Sequence, residues 1–288
     1  MDILGKTTSI PPRLLERARQ RPQIAVWLDR LPDALRAIVR RWSLVLDLPF
    51  DNDSVSCAWV APVELADGTR AVLKLGMPHM EAQDEMKGLR FWNGDGIVRV
   101  LQSDDDSGAM LLERCEPGTA LRQLPEPEQD VIIAGLLRRL WRPAQTFRPL
   151  SQMLEHWSAE TLGAQRQWPD AALVREGLRL FEELPRTAST AVLLATDLHA
   201  GNVLRAQREP WLAIDPKPFV GDPAYDATQH LFNCARLTAD PLGLIRRMAD
   251  LLELDAERIR LWTFARAAAE PGSWPRQESV ALARRIAP

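Results

Sequence analysis

The 288-residue chain is notable first for what it has little of. No run of 18 apolar residues occurs, so the sequence gives no expectation of a membrane span. Net charge is only −3, which leaves no electrostatic footprint for nucleic acid. The first residues, Met1 to Lys6, lack a charged segment followed by an apolar one, so no secretory leader is expected. Cysteine is scarce: Cys57, Cys115 and Cys234 are scattered and odd in number. They form no disulfide framework and no Cys/His cluster with zinc spacing, and they fit a reducing cytosol. Lysine is rare as well, at Lys6, Lys74, Lys87 and Lys217 among 36 basic residues. In a chain that otherwise uses arginine, a lysine can mark a place where a compact ammonium is needed. These absences predict a cytoplasmic protein with no nucleic-acid or membrane partner, and no protein partner is indicated.

What is present supports a sizeable core. The apolar share is 46%, and the length suits two domains or one two-lobed domain. No internal repeat or low-complexity tract appears.

The chemistry concentrates in Leu193–Leu204 and Trp211–Pro216, which read as strand, polar loop, strand, polar turn. Asp197 precedes Asn202 with four residues between them, and Asp215 ends the next apolar run. A carboxylate that takes a hydroxyl proton, with an amide and a second carboxylate that hold magnesium, is the constellation of phosphoryl transfer in the protein-kinase fold. A short loop brings Asp197 and Asn202 to one rim, and a two-stranded ribbon returns Asp215 beside them. An ordinary hairpin with polar loop residues is the plainer alternative.

Upstream, Pro11 to about Arg41 has helical periodicity, broken by Pro22 and Pro32 into two or three short helices. Residues 43–50, 55–65 and 69–75 are expected to be strands, with Asp67-Gly68 as a hairpin turn. Lys74 lies inside the third strand, pointing either to solvent or into a polar site. A charged helix is expected over 79–92, followed by strands over 97–102 and 109–112. A lysine on the third strand and a glutamate, Glu85, on the helix after it match the order of the protein-kinase N-lobe. Glu113 to Gly118 leave the sheet, and most of the remainder reads helical. The expected class is α+β: a helical cap over 1–41, a small antiparallel N-lobe over 42–114 that binds ATP, and a helical C-lobe over 115–288 with catalytic and metal loops.

Several ordered blocks together resemble the aminoglycoside phosphotransferases, in particular the streptomycin and hydroxyurea antibiotic-resistance kinases. They are Asp67 to Leu75, Trp92 to Gly96, Leu111 to Arg114, Asp197 to Asn202, Ile214 to Lys217 and Val220 to Asp226. The resemblance covers roughly residues 40 to 240. It implies an ATP-dependent, protein-kinase-like enzyme that phosphorylates a hydroxyl of a small molecule such as streptomycin, giving resistance. It also implies roles. Lys74 holds the α- and β-phosphates and pairs with Glu85. Asp197 orients the acceptor hydroxyl and takes its proton late. Asn202 and Asp215 bind Mg2+. Backbone groups around Glu113 to Cys115 take adenine in a cleft between lobes. From the residues of the turn over 52–57, the hydroxyls of Ser54 or Ser56 can approach phosphate, and Ser56 is the assigned one. His199 reads as a structural hydrogen-bonder.

Two departures stand out. The family usually has His-Gly before the catalytic aspartate, whereas this chain has Ala195-Thr196, which predicts a looser loop. The phosphate-covering turn over 52–57 contains no glycine. Both motivate a second reading, a degenerate kinase fold that binds nucleotide or ligand without turnover. A kinase for another small-molecule alcohol is a further alternative. Streptomycin carries two guanidinium groups, so carboxylates near aromatic faces are expected to meet it. Asp222, Asp226 and Glu270, the last near Trp262 and Trp274, are the candidates, with solvated or structural roles as the competing reading. Asp222 reads as a helix N-cap, with Pro223 at the first helical position.

Overall fold

The computed structural model describes residues 9–20, 22–51, 57–271 and 276–288. The phosphate-covering turn, with Ser54 and Ser56, therefore lies outside the described residues, as does Trp274. The chain divides into two compact units. One comprises Met1–Thr119 and Arg205–Leu212, the other Ala120–Leu204 and Ala213–Pro288.

The first unit begins with α1 (Pro12–Gln20) and α2 (Pro22–Trp42). Pro22 separates them as expected, but Pro32 lies inside a continuous α2. A proline in a helix removes one hydrogen bond. Burial keeps the helix whole: Ile24, Leu28, Leu31, Leu35 and Ile38 recur at helical spacing and are all buried. They share one core with Trp59, Ala61, Val63, Leu73, Leu75 and Leu111 of the sheet, so the cap has no core of its own. A five-stranded antiparallel sheet follows, in the order β1-β2-β3-β5-β4. Its strands are β1 (Val45–Leu46), β2 (Ala58–Glu64), β3 (Arg70–Gly76), β4 (Val100–Asp104) and β5 (Ala109–Glu113). The first strand is far shorter than its apolar run suggests; beyond Leu46 the pairing continues only as isolated bonds, Asp47 N–H to Pro62 and Phe50 N–H to Val60. The β2–β3 hairpin turns at Gly68, whose φ of 82° is cheap only for glycine. Between β3 and β4 lies α3 (Glu85–Trp92). It is shorter than the expected helix, because 80–84 are turn and the buried anchors Leu89 and Trp92 both sit late in the element.

The second unit is helical around short ribbons. Its helices are α4 (Glu126–Leu140), α5 (Leu150–Gly163), α6 (Ala171–Arg186), α7 (Pro223–Phe232), α8 (Arg236–Ala239), α9 (Pro241–Leu252), α10 (Ala256–Ala269) and α11 (Arg276–Arg285). The helix α10 packs against α6, α7, α9 and α11 and buries Trp262, Phe264 and Ala265. Gly177 allows the approach of α6: a Cβ there would stand 2.9 Å from the Cβ atoms of Ala268 and Ala269. Strands β6 (Val192–Leu194) and β9 (Phe219–Gly221) pair with each other, and β7 (Val203–Arg205) pairs with β8 (Trp211–Ala213). These ribbons carry the polar loops singled out in the sequence. Among the described residues no helix is long and apolar enough to cross a membrane.

Candidate active site

In the first unit, strand alternation separates two faces of β3. Ala71, Leu73 and Leu75 enter the core, so Lys74 lies on the opposite face. It is nevertheless buried, and its Nζ meets Glu85 Oε1 at 2.5 Å. Glu85 occupies the first turn of α3, where the helix dipole favours an anion. Of the two sequence readings for Lys74, the structure therefore supports the polar site. A paired, buried ammonium at a strand centre is a fixed positive charge that a phosphate can approach.

Glu113 ends β5 with its carboxylate engaged. Arg208 forks onto it at 2.8 and 2.9 Å, and the Arg99 N–H donates to it at 3.0 Å. The same arginine bonds the carbonyls of Gly94 and Ile97. The Glu113 side chain is thus an anchor within the first unit. Burial, reinforced by the charge of Glu113, pushes the Cys115 thiol up to about 12, so it stays neutral and unreactive.

In the second unit, β6 runs into the loop over 195–202. Asp226 is completely buried beneath it. Its Oδ2 accepts from Ala195 N–H at 2.9 Å and Trp141 Nε1 at 3.0 Å, and its Oδ1 accepts from Thr196 N–H at 2.7 Å. This corrects its assignment as a substrate carboxylate: no ligand can reach it, and its oxygens hold the loop. Burial pushes its pKa up to about 6, against those N–H donors and the charge of Arg266, and it is ionised at neutral pH.

The loop is also not loose. Thr196 has a φ of 50°, the left-handed region where the family's glycine sits without strain and a β-branched residue does not. Its side chain compensates, with Oγ1 donating to the Lys217 carbonyl at 2.5 Å. The Ala195 carbonyl accepts from the N–H groups of Asp197 and Lys217 at 2.7 and 2.8 Å. Backbone and hydroxyl contacts thus fix a loop that lacks the family's histidine.

Asp197, Asn202 and Asp215, the candidate base and metal ligands, follow. Asn202 Nδ2 donates to the Asp197 carbonyl at 3.0 Å and approaches its Oδ2 at 3.4 Å. With the amide nitrogen turned to Asp197, the Asn202 oxygen is the atom left to serve a cation. The Asn202 carbonyl accepts the Ile214 N–H at 2.9 Å, which sets Asp215 beside it. Asp215 also has a positive φ, 54°, and its Oδ1 meets Lys217 Nζ at 2.5 Å. A carboxylate and an amide oxygen are the hard donors that magnesium prefers. His199 accepts the Gly201 N–H on Nδ1 at 3.0 Å, which puts its proton on Nε2. Burial, with a smaller push from His230, lowers its pKa to about 4, so it is a neutral structural residue, as expected.

Glu270 is corrected as well. It binds Arg266 at 2.5 and 3.0 Å and is almost fully buried, so it closes an internal ion pair rather than facing substrate. Asp222 is the N-cap of α7, accepting the Ala224 N–H at 3.0 Å, while its other oxygen takes Trp262 Nε1 and Arg258. Among the described residues folding assembles one His/Cys/Asp group, Asp130, His230 and Cys234. Arg236 and Arg247 already cover both oxygens of Asp130, so it is a charge network and not a metal site. Gln229 and Arg266 escaped the sequence reading. Gln229 stands one turn after Asp226, and Arg266 stands four residues before Glu270, spacings that place each pair on one helix face.

Comparison with known proteins agrees with this geometry. Residues 41–278 match the family of aminoglycoside/hydroxyurea antibiotic resistance kinases. A streptomycin 6-kinase from Streptomyces griseus is 39% identical over 83% of this chain and 81% of its own length. A hydroxyurea phosphotransferase from Kitasatospora aureofaciens is 36% identical over 91% of this chain and 79% of its own. Among solved structures, an aminoglycoside phosphotransferase in ternary complex with ADP and hygromycin B superposes with a TM-score of 0.60 at 13% identity, covering 88% of this chain and 98% of that one. A choline kinase from Cryptosporidium parvum gives 0.59 at 12% identity, covering 88% and 94%. The last two share the protein-kinase-like fold, and the matches over most of the sequence carry the closer relationship: the chain belongs to the aminoglycoside/hydroxyurea antibiotic resistance kinase family.

Proposed function

We propose that the protein transfers the γ-phosphoryl group of ATP to a hydroxyl of an aminocyclitol antibiotic, with streptomycin the first acceptor to test. The observation that carries this reading is the Asp197–Asn202–Asp215 arrangement, held on a loop whose backbone is fixed by Asp226. Lys74, steadied by Glu85, neutralises the non-transferred phosphates. The backbone at Glu113–Cys115 seats adenine. Asp197 accepts a hydrogen bond from the attacking hydroxyl and takes its proton late, when the phosphoryl bond is largely formed. Asn202 and Asp215 would hold magnesium, which would supply charge neutralisation for the transferred group. Lys217 on Asp215 adds a second positive charge at the same carboxylate. This reading puts the reaction in the cytoplasm, where ATP is supplied, and the three free cysteines fit a reducing compartment.

The test is turnover by purified protein with ATP, magnesium and streptomycin, followed by mass spectrometry of the antibiotic. A gain of one phosphoryl group is expected, and D197A is expected to lower kcat by at least about a thousandfold with nucleotide affinity nearly unchanged. Hydroxyurea serves as the second acceptor in the same assay. Nucleotide binding with no product from either acceptor would return the choice to a binder without turnover.

A further inference from the structure

We propose that Gln229, locked by Arg266, is a positioning residue that sets the direction of the Asp197 carboxylate; the inference rests on Asp197 being the base. Gln229 Nε2 donates to Asp197 Oδ1 at 2.7 Å. On its other side Gln229 Oε1 accepts from Arg266 Nη2 at 2.8 Å. A guanidinium can only donate and a carboxylate can only accept, so the amide has one possible orientation between them. Chemistry at both ends decides the position of its oxygen and nitrogen.

Arg266 is itself immobilised. It is buried, bonds Glu270 through Nε and Nη2, and bonds Thr228 Oγ1 through Nη1 at 2.7 Å. Its guanidinium lies over the rings of Phe232 and Tyr225, at 4.9 and 5.1 Å from their centroids. All three nitrogens are therefore bonded, and aromatic rings pack against the guanidinium. The line Glu270, Arg266, Gln229, Asp197 runs from a closed ion pair in the core to a side chain that is about a third exposed. One turn of α7 thus grips the loop twice. Asp226 holds the backbone of Ala195 and Thr196, and Gln229 holds the Asp197 side chain. Pinning Oδ1 fixes the carboxylate plane, so Oδ2 is presented in a single direction. When catalysis is mostly positioning, freeing that plane lowers the rate with little change in nucleotide binding.

Two substitutions separate positioning from packing. Q229M removes both contacts. Q229E keeps an acceptor for Arg266 but turns a carboxylate oxygen toward Asp197, so a residue that matters only through Arg266 tolerates it. ADP release is followed with streptomycin and, separately, with water as the only acceptor. The expected result is a fall in kcat of about tenfold for Q229M and about a hundredfold for Q229E, with KM for ATP unchanged and melting temperature near that of the wild type. Wild-type kcat in Q229E overturns the proposal, and so does a fall in kcat matched by loss of folded protein. D197A is the control: if it is inactive while Q229E runs at full rate, the base stands and Gln229 alone is dismissed. Turnover that survives D197A removes the base and this inference together.

Discussion

Two aspartates in the second unit are both fully buried, yet folding has moved them in opposite directions. Asp130, on α4, is surrounded by cations. Burial raises its pKa, but hydrogen bonds from His230, Arg236 and Arg247 outweigh this and bring it down to about 2. Asp226, on α7, meets mainly neutral N–H donors from Ala195, Thr196 and Trp141, and burial wins, taking it up to about 6. Both touch the same helix region, since His230 on α7 bonds Asp130 at 2.9 Å. The difference shows that burial sets the cost of a carboxylate and partners decide who bears it. Opposite charges secure the α4 carboxylate as a fastening between helices. Dipoles leave the α7 carboxylate closer to its limit, at the place where it holds the backbone of Ala195 and Thr196.

The largest expected effect is on the Asp226 side. D226A removes two bonds to the loop and one to Trp141, and leaves the N–H groups of Ala195 and Thr196 buried, so kcat is expected to fall about a hundredfold, with KM for ATP little changed. Steady-state kinetics of soluble variant protein check this, and full activity in D226A would erase the functional half of the contrast.

Next in size is D130N, expected to lower unfolding free energy by about 2–3 kcal/mol at neutral pH, because Arg236 and Arg247 lose a charged partner. Urea denaturation measures it, and kcat of the folded fraction is expected to stay near wild type. If D130N instead abolishes turnover with stability intact, the division into fastening and loop support fails.

The pH dependence sharpens the same contrast, and the signs differ. Asp130 has a folded pKa below its unfolded value of 3.8, so its stabilisation is present above that value and is lost as pH falls through about 2; it amounts to roughly 2 kcal/mol. Asp226 has a folded pKa above 3.8, so between 3.8 and about 6 the native state holds the extra proton and stability from this group is lost as pH rises. Urea midpoints across this range for wild type, D130N and D226N are expected to show the Asp226 slope vanish only in D226N.

The smallest effect is expected at Thr196. T196G relieves the strain at φ 50° but removes the bond to the Lys217 carbonyl, so the net change is expected within about 1 kcal/mol. T196A keeps the strain and loses the bond, and is expected to be the less stable of the two in thermal melts.

Much of this was legible in the chain. The apolar alternation of β2 and β3, the Asp67-Gly68 turn, the order lysine-strand then glutamate-helix, and the spacing of Asp197, Asn202 and Asp215 are local patterns. Local patterns survive in sequence because strand period, turn conformation and loop length are set by neighbours in the chain. What escaped were contacts between distant segments. Asp226 and Glu270 look alike on paper as acidic residues near aromatics, and only packing shows that one carries a loop and the other an arginine.

The sequence by itself determined the class of chemistry, a small-molecule kinase on an α+β scaffold, and offered candidates for its lysine, base and metal ligands in the family's order. Only the tertiary structure decided how Ala195-Thr196 stands in for the family's His-Gly. The stand-in is made of a buried carboxylate 30 residues onward and a hydroxyl bonded to a carbonyl 21 residues onward. Such bonds depend on how helices and ribbons close on one another, and chain closure is a property of the whole core rather than of any short stretch.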